Sequence, residues 1–276
     1  MSKIRLDVLL QEQGFIHNRS RARAEIMTGR VLVDGQKCDK PGTKVDPKAE
    51  ITLLTPSNPY VSRGGLKLAS AYEEWGFSLE GKAVVDIGAS TGGFTHFALL
   101  HGASRVYAVD VGYGQLDWSL RNHARVITME RTNARNLRRE DFTRECPVLA
   151  LVDVSFISLK KIVPVLAQLS VNEAIALIKP QFEAGKDKVG KKGVIRSPQI
   201  HREVLLDILR VWRSYGYMEK GLTFSRLPGP QGNLEFFFYA EAVKELAEVE
   251  LSEEDLEIRV EEVVEAAWKY IEETIC

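Results

Sequence analysis

The chain has 276 residues, a net charge of −1, and 45% hydrophobic and 27% charged residues, the composition of a soluble globular protein with room for a medium-sized and a smaller domain. The longest uncharged stretch, 87–104, is broken by glycines, and the N-terminal segment is charged, so neither a transmembrane helix nor a signal peptide is expected. Three widely spaced cysteines favour neither a disulfide framework nor a zinc site, which predicts a cytoplasmic protein without a bound metal.

Charge is distributed unevenly along the chain. Residues 241–276 carry 13 acidic and 3 basic side chains, so the first 240 residues have a net charge of +9. A basic body of this kind favours a polyanionic partner, although a basic stretch is just as typical of a solvated surface.

The pattern of residues 1–57 predicts a small, basic α+β domain. Apolar residues in RLDVLLQEQG have helical spacing, NRSRARAEIMTGR is a second helical pattern, and strands with an Asp-Gly turn follow in VLVDGQKC and AEITLL. The order of these pieces resembles the RNA-binding domain of ribosomal protein S-four, in which two helices and the following loop grip structured RNA. The resemblance implies phosphate contacts for five basic residues, Arg5, Arg19, Arg21, Arg23 and Lys37.

Three further segments follow along the chain. TPSNPYVS contains two prolines and small polar residues, so a linker is predicted over 58–62. Over 63–240, strand-like runs alternate with helical stretches, which predicts a doubly wound, largely parallel sheet in an α/β domain, with one of the last two strands antiparallel. The acidic segment 241–276 predicts an amphipathic helix with a capping box of Ser252 and Asp255, packed on the domain as a brace.

A glycine-rich turn in VVDIGASTGGFT follows the first buried strand of the α/β domain and opens a helix near Gly93. Glycines let the backbone approach a ligand closely, and a helix N-terminus offers N–H groups to it. Asp86 precedes the first glycine, a feature similar to S-adenosylmethionine-dependent methyltransferases with a Rossmann-like fold. The resemblance implies cofactor contacts along the turn, at Asp86, Gly88, Ala89, Ser90, Thr91, Gly92, Gly93 and Phe94.

Polar residues also follow the next two strands. Asp110 ends RVYAVD, where a carboxylate can accept both ribose hydroxyls of an adenosine, and Asn133 follows RVITME, where this family reads the adenine edge. Each residue alone is more typical of a strand-end cap. Ligands bind at the carboxyl ends of strands in open α/β sheets, so polar groups at three successive strand ends favour a cofactor site.

Two more strands end in groups of opposite charge. VLALVD ends in Asp153 and AIALIK ends in Lys179, while Lys67 lies in SRGGLKL and Glu235 lies in GNLEFFFY. In order and context these residues resemble the Lys-Asp-Lys-Glu tetrad of the FtsJ-like ribose 2′-O-methyltransferases. The resemblance implies that Lys67, Asp153, Lys179 and Glu235 are catalytic, with Asp153 also beside the methyl donor.

The chemistry of ribose methylation explains such a set. A ribose hydroxyl is a poor nucleophile, and a lysine can act as its base only when desolvation or a second lysine lowers the ammonium pKa. Lys179, with Lys67 nearby, is the expected base. If Lys179 stays charged, it instead orients the hydroxyl and stabilises the developing negative charge. The two carboxylates keep the lysines in place, and the mechanism requires no metal.

The loop EAGKDKVGKKGVIRSP, after the Lys179 strand, is rich in basic residues. It is either a solvated, mobile loop or a lid that orders on RNA phosphates. The second interpretation makes Lys188, Lys191 and Lys192 RNA contacts, and Arg63 in SRGGLKL is a similar candidate.

An S-four-type domain followed by SRGGLKL, DIGASTGGFT, DVSFISL, KPQFE and GNLEFF is similar to the TlyA family over residues 3–240. The resemblance implies S-adenosylmethionine-dependent 2′-O-methylation of a cytidine ribose in ribosomal RNA, with ribosomal subunits as partners. Two alternatives stay open: an inactive RNA-binding or ribosome assembly factor, and a cytolysin, as the family's older label of haemolysin implies. Neither the target subunit nor the oligomeric state follows from the sequence.

Overall fold

The structure is a computed structural model that describes residues 3–16, 19–54, 58–190, 192–243 and 252–275. The chain forms two compact units, Met1–Pro59 and Tyr60–Cys276. Tyr60 and Val61, which the sequence places in a linker, pack against an apolar core of the second unit. The ring of Tyr60 lies 5.5 Å from that of Phe97, so aromatic packing attaches this stretch to the larger unit.

The first unit is a small α+β fold around one apolar core. Its elements are β1 (Ile4–Arg5), α1 (Leu6–Glu12), α2 (Arg19–Met27), β2 (Val31–Val33), β3 (Gln36–Cys38), β4 (Lys44–Val45) and β5 (Ile51–Leu53). β2 pairs antiparallel with β3 and β5, and β1 pairs with β4. Asp34 and Gly35 form the β2–β3 turn with φ of 50° and 77°, as their sequence predicts. Leu6, Leu9 and Leu10 fill the core from the apolar face of α1.

A seven-stranded sheet forms the centre of the second unit. Its strands are β6 (Ala83–Ile87), β7 (Arg105–Val109), β8 (Val126–Met129), β9 (Leu149–Val152), β10 (Glu173–Ile178), β11 (Tyr217–Phe224) and β12 (Phe236–Ala242). They lie in the order β11-β12-β10-β9-β6-β7-β8. β12 is antiparallel to both of its neighbours, and the other pairs are parallel. The predicted doubly wound sheet with an antiparallel strand is therefore confirmed.

Helices cover both faces of this sheet. They are α3 (Arg63–Trp75), α4 (Gly93–Leu100), α5 (Trp118–Arg121), α6 (Val163–Leu169), α7 (Pro180–Glu183), α8 (Pro198–Ser214) and α9 (Glu253–Ile275). Side chains of β6 alternate between two apolar cores, with Val84 in one and Val85 and Ile87 in the other. α3 and α4 contribute to the first core, and α6, α8 and α9 to the second, which gives a Rossmann-like α/β fold of three layers.

The C-terminal helix α9 packs on the domain through its apolar face. Ser252 N–H donates to Asp255 Oδ2 at 3.2 Å and Asp255 N–H donates to Ser252 Oγ at 3.1 Å, which is the predicted capping box. Leu256, Val260 and Val264 are buried in the core shared with α8. Among the described residues, neither α9 nor another helix is both long and apolar enough to cross a membrane.

Leu256→Ala is expected to lower the free energy of unfolding by about 2–5 kcal/mol, because it removes buried methyl groups and leaves a cavity under α9. Ile258→Ala is the matched control on the same helix, since Ile258 is 52% exposed. It is expected to change the free energy of unfolding by less than about 0.5 kcal/mol. Denaturant unfolding measures both values, and equal effects would contradict the docking of α9 through Leu256.

Candidate active site

Charged side chains converge at the carboxyl-terminal edge of the large sheet. Asp86 lies near the end of β6, Asp110 follows β7, Asp153 follows β9 and Lys179 follows β10. These strands are parallel, so their ends meet at one edge, where open α/β sheets bind ligands. The fold thus brings together predicted site residues from four strands.

The glycine turn between β6 and α4 approaches the end of β9 closely. Gly88 has a φ of 88°, and a Cβ at this position would lie 2.5 Å from the main-chain oxygen of Asp153, so only glycine fits. The N–H groups of Gly88 and Ala89 donate to the Val109 carbonyl at 2.9 and 3.1 Å. These two donors therefore tie the turn to β7 and are not open to a ligand.

Asp86 is fully buried beside this turn. Its Oδ2 accepts a hydrogen bond of 2.6 Å from Thr95 Oγ1, whereas its Oδ1 is buried without a hydrogen-bond partner in the described part of the chain. Burial, with a smaller contribution from Asp153, raises the pKa of Asp86 to about 7 despite the Thr95 hydrogen bond. An unpartnered buried carboxylate oxygen fits a site that receives a cationic, hydrogen-bond-donating group.

Two cavities adjoin at the turn, because Gly88, Ser90 and Asp153 line both. The first, of about 340 Å³, is lined by the predicted cofactor contacts Asp86, Gly88, Ala89, Ser90, Thr91, Gly93 and Phe94. The second, of about 360 Å³, is lined by Asp110 and Asn133. Gly92 lines neither cavity. With a φ of 99°, it lies against leucine side chains, so it has a packing role here.

Asp110 and Asn133 also make local hydrogen bonds. The Asp110 carboxylate accepts from Ser90 N–H at 2.8 Å and from Gly112 N–H at 2.7 Å. Asn133 Oδ1 accepts from Arg135 N–H at 3.1 Å. Both residues are thus turn caps as well as walls of the second cavity. Each carboxylate oxygen can accept more than one hydrogen bond, so Asp110 retains capacity for a ligand.

Lys179 forms an ion pair with Asp153. Its Nζ lies 2.6 Å from Asp153 Oδ1 and donates to Ser155 Oγ at 3.0 Å. The side chains of Lys179 and Asp153 are only 10% and 24% exposed, so the pair is largely withdrawn from water. Ser155 is not among the residues predicted from the sequence, although DVSFISL places it two positions after Asp153.

Lys67 of α3 pairs with Glu235, which directly precedes β12. The Lys67 Nζ lies 2.6 Å from Glu235 Oε2, and both side chains are largely buried. Glu235 Oε1 is buried without a hydrogen-bond partner among the described residues. Ile178 of β10 is opposite Phe236 of β12, so the same register continued by one residue sets Lys179 across from Glu235. The four tetrad residues therefore meet at this edge, each lysine paired with a carboxylate.

A further, partly buried carboxylate holds the segment that follows β9. Glu183 Oε1 accepts from Leu159 N–H at 2.8 Å, and Oε2 accepts from Ser158 Oγ at 2.6 Å. Burial raises the pKa of Glu183. Because α7 begins directly after Lys179, this contact fixes the segment 155–159 relative to Lys179. Glu183 was not predicted as a site residue, and its only signal is its place in KPQFE.

Asn233 holds part of the basic loop between α7 and α8. Its Nδ2 donates to the Gly193 carbonyl at 2.9 Å, and its Oδ1 accepts from Ile195 N–H at 3.2 Å. Asn233 is buried and lies two residues before Glu235, so the loop is attached to the same segment as the tetrad. Like Glu183, Asn233 is a positioning residue that the sequence prediction omits, although it lies within the GNLEFF motif.

The RNA contacts predicted for the second unit lie at two places. Arg63 is exposed and lines the first cavity. Lys188 and Lys192 line a separate cavity of about 430 Å³. Lys188 also pairs with Glu203 at 2.6 Å, with both side chains about half exposed. Lys191 lies outside the described residues.

Two of the RNA contacts predicted for the first unit hold a buried carboxylate. Asp7 is fully buried, and the Nε atoms of Arg5 and Arg19 lie 2.9 and 3.0 Å from its oxygens. Hydrogen bonding from Arg5 lowers the pKa of Asp7. Arg5 and Arg19 therefore have a structural role that was not predicted. Their side chains are still 44% and 53% exposed, so both can also meet a phosphate.

The remaining RNA contacts predicted for this unit are at its surface. Arg23 on α2 and Lys37 on β3 are exposed. The end of the Lys37 side chain, including its ammonium group, lies beside Gly29. The side chain of Arg21 is outside the described part of the structure.

Comparison with known protein families identifies both units. The sequence model of the FtsJ-like methyltransferase family matches residues 60–242, and that of the S4 domain matches residues 4–51. Each match falls within one of the two compact units of the structure.

Individual relatives align over most of the chain. YqxC of Bacillus subtilis is 48% identical over 276 residues, which cover 98% of this chain and 96% of YqxC. The 16S/23S rRNA (cytidine-2′-O)-methyltransferase TlyA of Mycobacterium tuberculosis is 42% identical over 240 residues, which cover 86% of this chain and 89% of that protein. A solved structure named for a hemolysin from Streptococcus thermophilus gives a TM-score of 0.75 at 42% identity, covering 99% of this chain and 98% of that one. With an S4 domain before an FtsJ-like methyltransferase domain, this chain belongs to the TlyA family.

Proposed function

We propose that this protein transfers the methyl group of S-adenosylmethionine to the 2′-hydroxyl of a cytidine ribose in ribosomal RNA. The observation that carries the proposal is the pairing of Lys179 with Asp153 and of Lys67 with Glu235 at one edge of the sheet. Fixed ammonium groups beside a cavity suit a reaction in which a neutral hydroxyl gains negative charge. The cytidine target is supported by the TlyA relative of Mycobacterium tuberculosis, which is named for that reaction.

S-adenosylmethionine, when bound, supplies an electrophilic methyl group on a positively charged sulfur. The residues of the two cavities fit this group, because carboxylates line both and Asp86 Oδ1 is unpartnered. We assign the amino-acid part of the cofactor to the first cavity, with Asp86 accepting a hydrogen bond from its ammonium group. In the second cavity, Asp110 accepts from the ribose hydroxyls and Asn133 contacts the adenine. The turn from Gly88 to Phe94 forms the wall between the two parts.

Lys179 is assigned to the target hydroxyl. Its Nζ forms an ion pair with Asp153 Oδ1 and donates to Ser155 Oγ, which leaves at least one of the three N–H donors of an ammonium for the ribose 2′-oxygen. In that position the ammonium orients the oxygen and stabilises the negative charge that develops as the hydroxyl proton passes to water. The same oxygen would form the new bond to the methyl carbon, with the carbon–sulfur bond of the cofactor breaking. Lys67 lines the first cavity and is held by Glu235. Alignment of the hydroxyl with the methyl group supplies much of the remaining acceleration.

Exposed basic residues are assigned to the RNA backbone. Arg63 lies at the first cavity, where a phosphate next to the target ribose would pass. Lys188 and Lys192 bind phosphates farther along the strand, and the S4 domain contributes Arg23 and Lys37. Phosphate contacts of this kind position an RNA without reading its sequence. The assignment of the substrate to ribosomal RNA within a ribosomal subunit, and with it a cytoplasmic location, is supported by the TlyA relative named for rRNA methylation.

Lys179→Ala is expected to lower the rate of methyl transfer by about 10²–10³-fold, because it removes the charge that stabilises the reacting oxygen. The dissociation constant for S-adenosylmethionine is expected to stay close to the wild-type value, since Lys179 is assigned to the hydroxyl and not to the cofactor. Transfer of tritium from labelled S-adenosylmethionine to purified 30S and 50S subunits, taken from cells that lack the modification, measures the rate.

Lys220→Ala is the matched control for this experiment. Lys220 is 53% exposed and pairs with Glu241 at 3.0 Å on the outer strands of the sheet, so transfer at the wild-type rate is expected. A wild-type protein that binds the cofactor and labels neither subunit would refute the proposed function and favour an RNA-binding or assembly factor. Denaturant unfolding shows whether Lys179→Ala is still folded, since the variant leaves Asp153 without its partner. Loss of cofactor binding in a folded Lys179→Ala protein would instead refute its assignment to the hydroxyl.

Asp86→Asn is expected to stabilise the cofactor-free protein at high pH. Burial raises the pKa of Asp86 from 3.8 to about 7, so this group favours the fold at low pH and loses that contribution as the pH rises through 7. Asparagine does not ionise, so the free energy of unfolding should exceed that of the wild type by roughly 4 kcal/mol at pH 9 and by much less at pH 4. Denaturant unfolding at both pH values tests this difference.

The same substitution is expected to weaken cofactor binding, because it removes the carboxylate assigned to the ammonium group. Calorimetric titration with S-adenosylmethionine measures that loss, and Asp39→Asn, at an exposed position of the S4 domain, is the control. A stability difference that does not change with pH would contradict the raised pKa. Unchanged cofactor affinity would contradict the assignment of Asp86.

A further inference from the structure

The loops that follow β7 and β8 are fastened to each other at the second cavity. Arg131 N–H donates to the Gly112 carbonyl at 2.9 Å, and Thr132 N–H donates to the Asp110 carbonyl at 2.9 Å. Residues of both loops, including Val111 and Thr132, line that cavity. The outer surface of these loops therefore has a fixed position next to the proposed cofactor site.

This outer surface is rich in arginine. Residues 111–139 contain six arginines and two acidic residues. Glu130 is paired with Arg121 at 2.5 Å, and Asp117 caps α5. Four arginines are exposed, and among the described residues their guanidinium groups form no ion pair with a carboxylate, namely Arg131, Arg135, Arg138 and Arg139. The buried neighbours Ala134 and Leu137 anchor this segment to the core, so the guanidinium groups project from a rigid support.

Large aromatic side chains lie exposed on the same pair of loops. Tyr113 is 68% exposed and Trp118 is 78% exposed. The guanidinium carbon of Arg131 lies 4.1 Å from the centre of the Tyr113 ring, a cation–π contact between one of these arginines and one of these rings. Arg131 also has a φ of 53°, in the left-handed region that is unfavourable for arginine. The backbone is thus strained where it places this guanidinium on the ring.

We propose that Tyr113, Trp118 and these four arginines form an RNA-binding surface, the arginine–aromatic surface, which binds an unpaired segment of ribosomal RNA. The inference rests on the proposed function and extends its substrate contacts to the side of the domain next to the adenosine part of the cofactor site. Guanidinium groups that form no ion pair match phosphates, and exposed rings match unstacked bases, which single-stranded RNA presents together. Arg135 Nε also donates to Asn133 Oδ1 at 3.3 Å, which leaves its other N–H groups for a phosphate. An acidic protein would satisfy the arginines but would leave the rings without a stacking partner.

The double variant Arg138→Gln/Arg139→Gln tests the electrostatic part. Its affinity for methylation-deficient ribosomal subunits is expected to fall about 5- to 50-fold at moderate salt. The magnitude of the slope of log affinity against log salt is expected to fall by about 1.4, because two contacts to single-stranded phosphates are lost at about 0.7 each. Deproteinised ribosomal RNA is the second probe, and the same changes are expected with it. The control is Arg210→Gln/Lys220→Gln, which removes the same charge from residues that have acidic partners.

Trp118→Ala tests the stacking part. Loss of one base–aromatic stack is expected to weaken binding of both probes roughly 5- to 100-fold with little change in salt slope. Tyr215→Ala is the control, because Tyr215 is 45% exposed at the end of α8. Each variant is titrated with S-adenosylmethionine, and unchanged cofactor affinity shows that its methyltransferase domain is folded.

Wild-type affinity and salt slope in the double variant would overturn the inference, as would wild-type affinity in Trp118→Ala. Weaker binding to subunits with unchanged binding to deproteinised RNA would also overturn it, because the partner would then be a ribosomal protein. Binding is measured without methyl transfer, so a failure of the proposed function is seen separately. If the wild-type protein is inactive but its surface variants still lose RNA affinity, the proposed methyl transfer is refuted and the proposed RNA-binding surface is supported.

Discussion

The arrangement of charged groups at the active-site edge of the sheet depends on the ion pair between Lys179 and Asp153. A buried ammonium group is tolerated only beside a partner of opposite charge. Lys67 and Glu235 repeat the same arrangement a short distance along the sheet edge. Removing one member of a buried pair leaves an uncompensated charge, which is far more costly than removing both. The four residues are therefore a set in which each lysine needs its carboxylate.

The order of the strands makes this set possible. β10 lies between parallel β9 and antiparallel β12, so its end is flanked by Asp153 on one side and Glu235 on the other. On the far side of β9, Gly88 lets the glycine turn reach the main chain of Asp153 without a clash. The strand order and the absence of a side chain at Gly88 thus bring the glycine turn of the proposed cofactor site close to the two lysines.

Much of this edge could be predicted from the sequence, because Asp110, Asp153 and Lys179 directly follow hydrophobic runs that are readable as strands. The antiparallel strand and the brace formed by α9 were also predictable, from segment spacing and from helical periodicity. Contacts between distant segments were not. Glu183 accepts a hydrogen bond from the segment after β9, and Asp7 forms ion pairs with two arginines that were predicted to bind RNA. No local sequence pattern indicates these two contacts. The arginine–aromatic surface also escapes prediction, since its exposure and lack of partners are known only after folding.

Ribose methylation is tested most directly by locating the methyl group on the product. Ribosomal RNA from methylation-deficient subunits, treated with the protein and S-adenosylmethionine, is digested to nucleosides and analysed by mass spectrometry. The predicted result is 2′-O-methylcytidine with the wild-type protein and at most a trace with Lys179→Ala. A methyl group on a base would contradict the placement of Lys179 at a ribose hydroxyl, and the absence of any new methylated nucleoside would contradict the proposed enzyme.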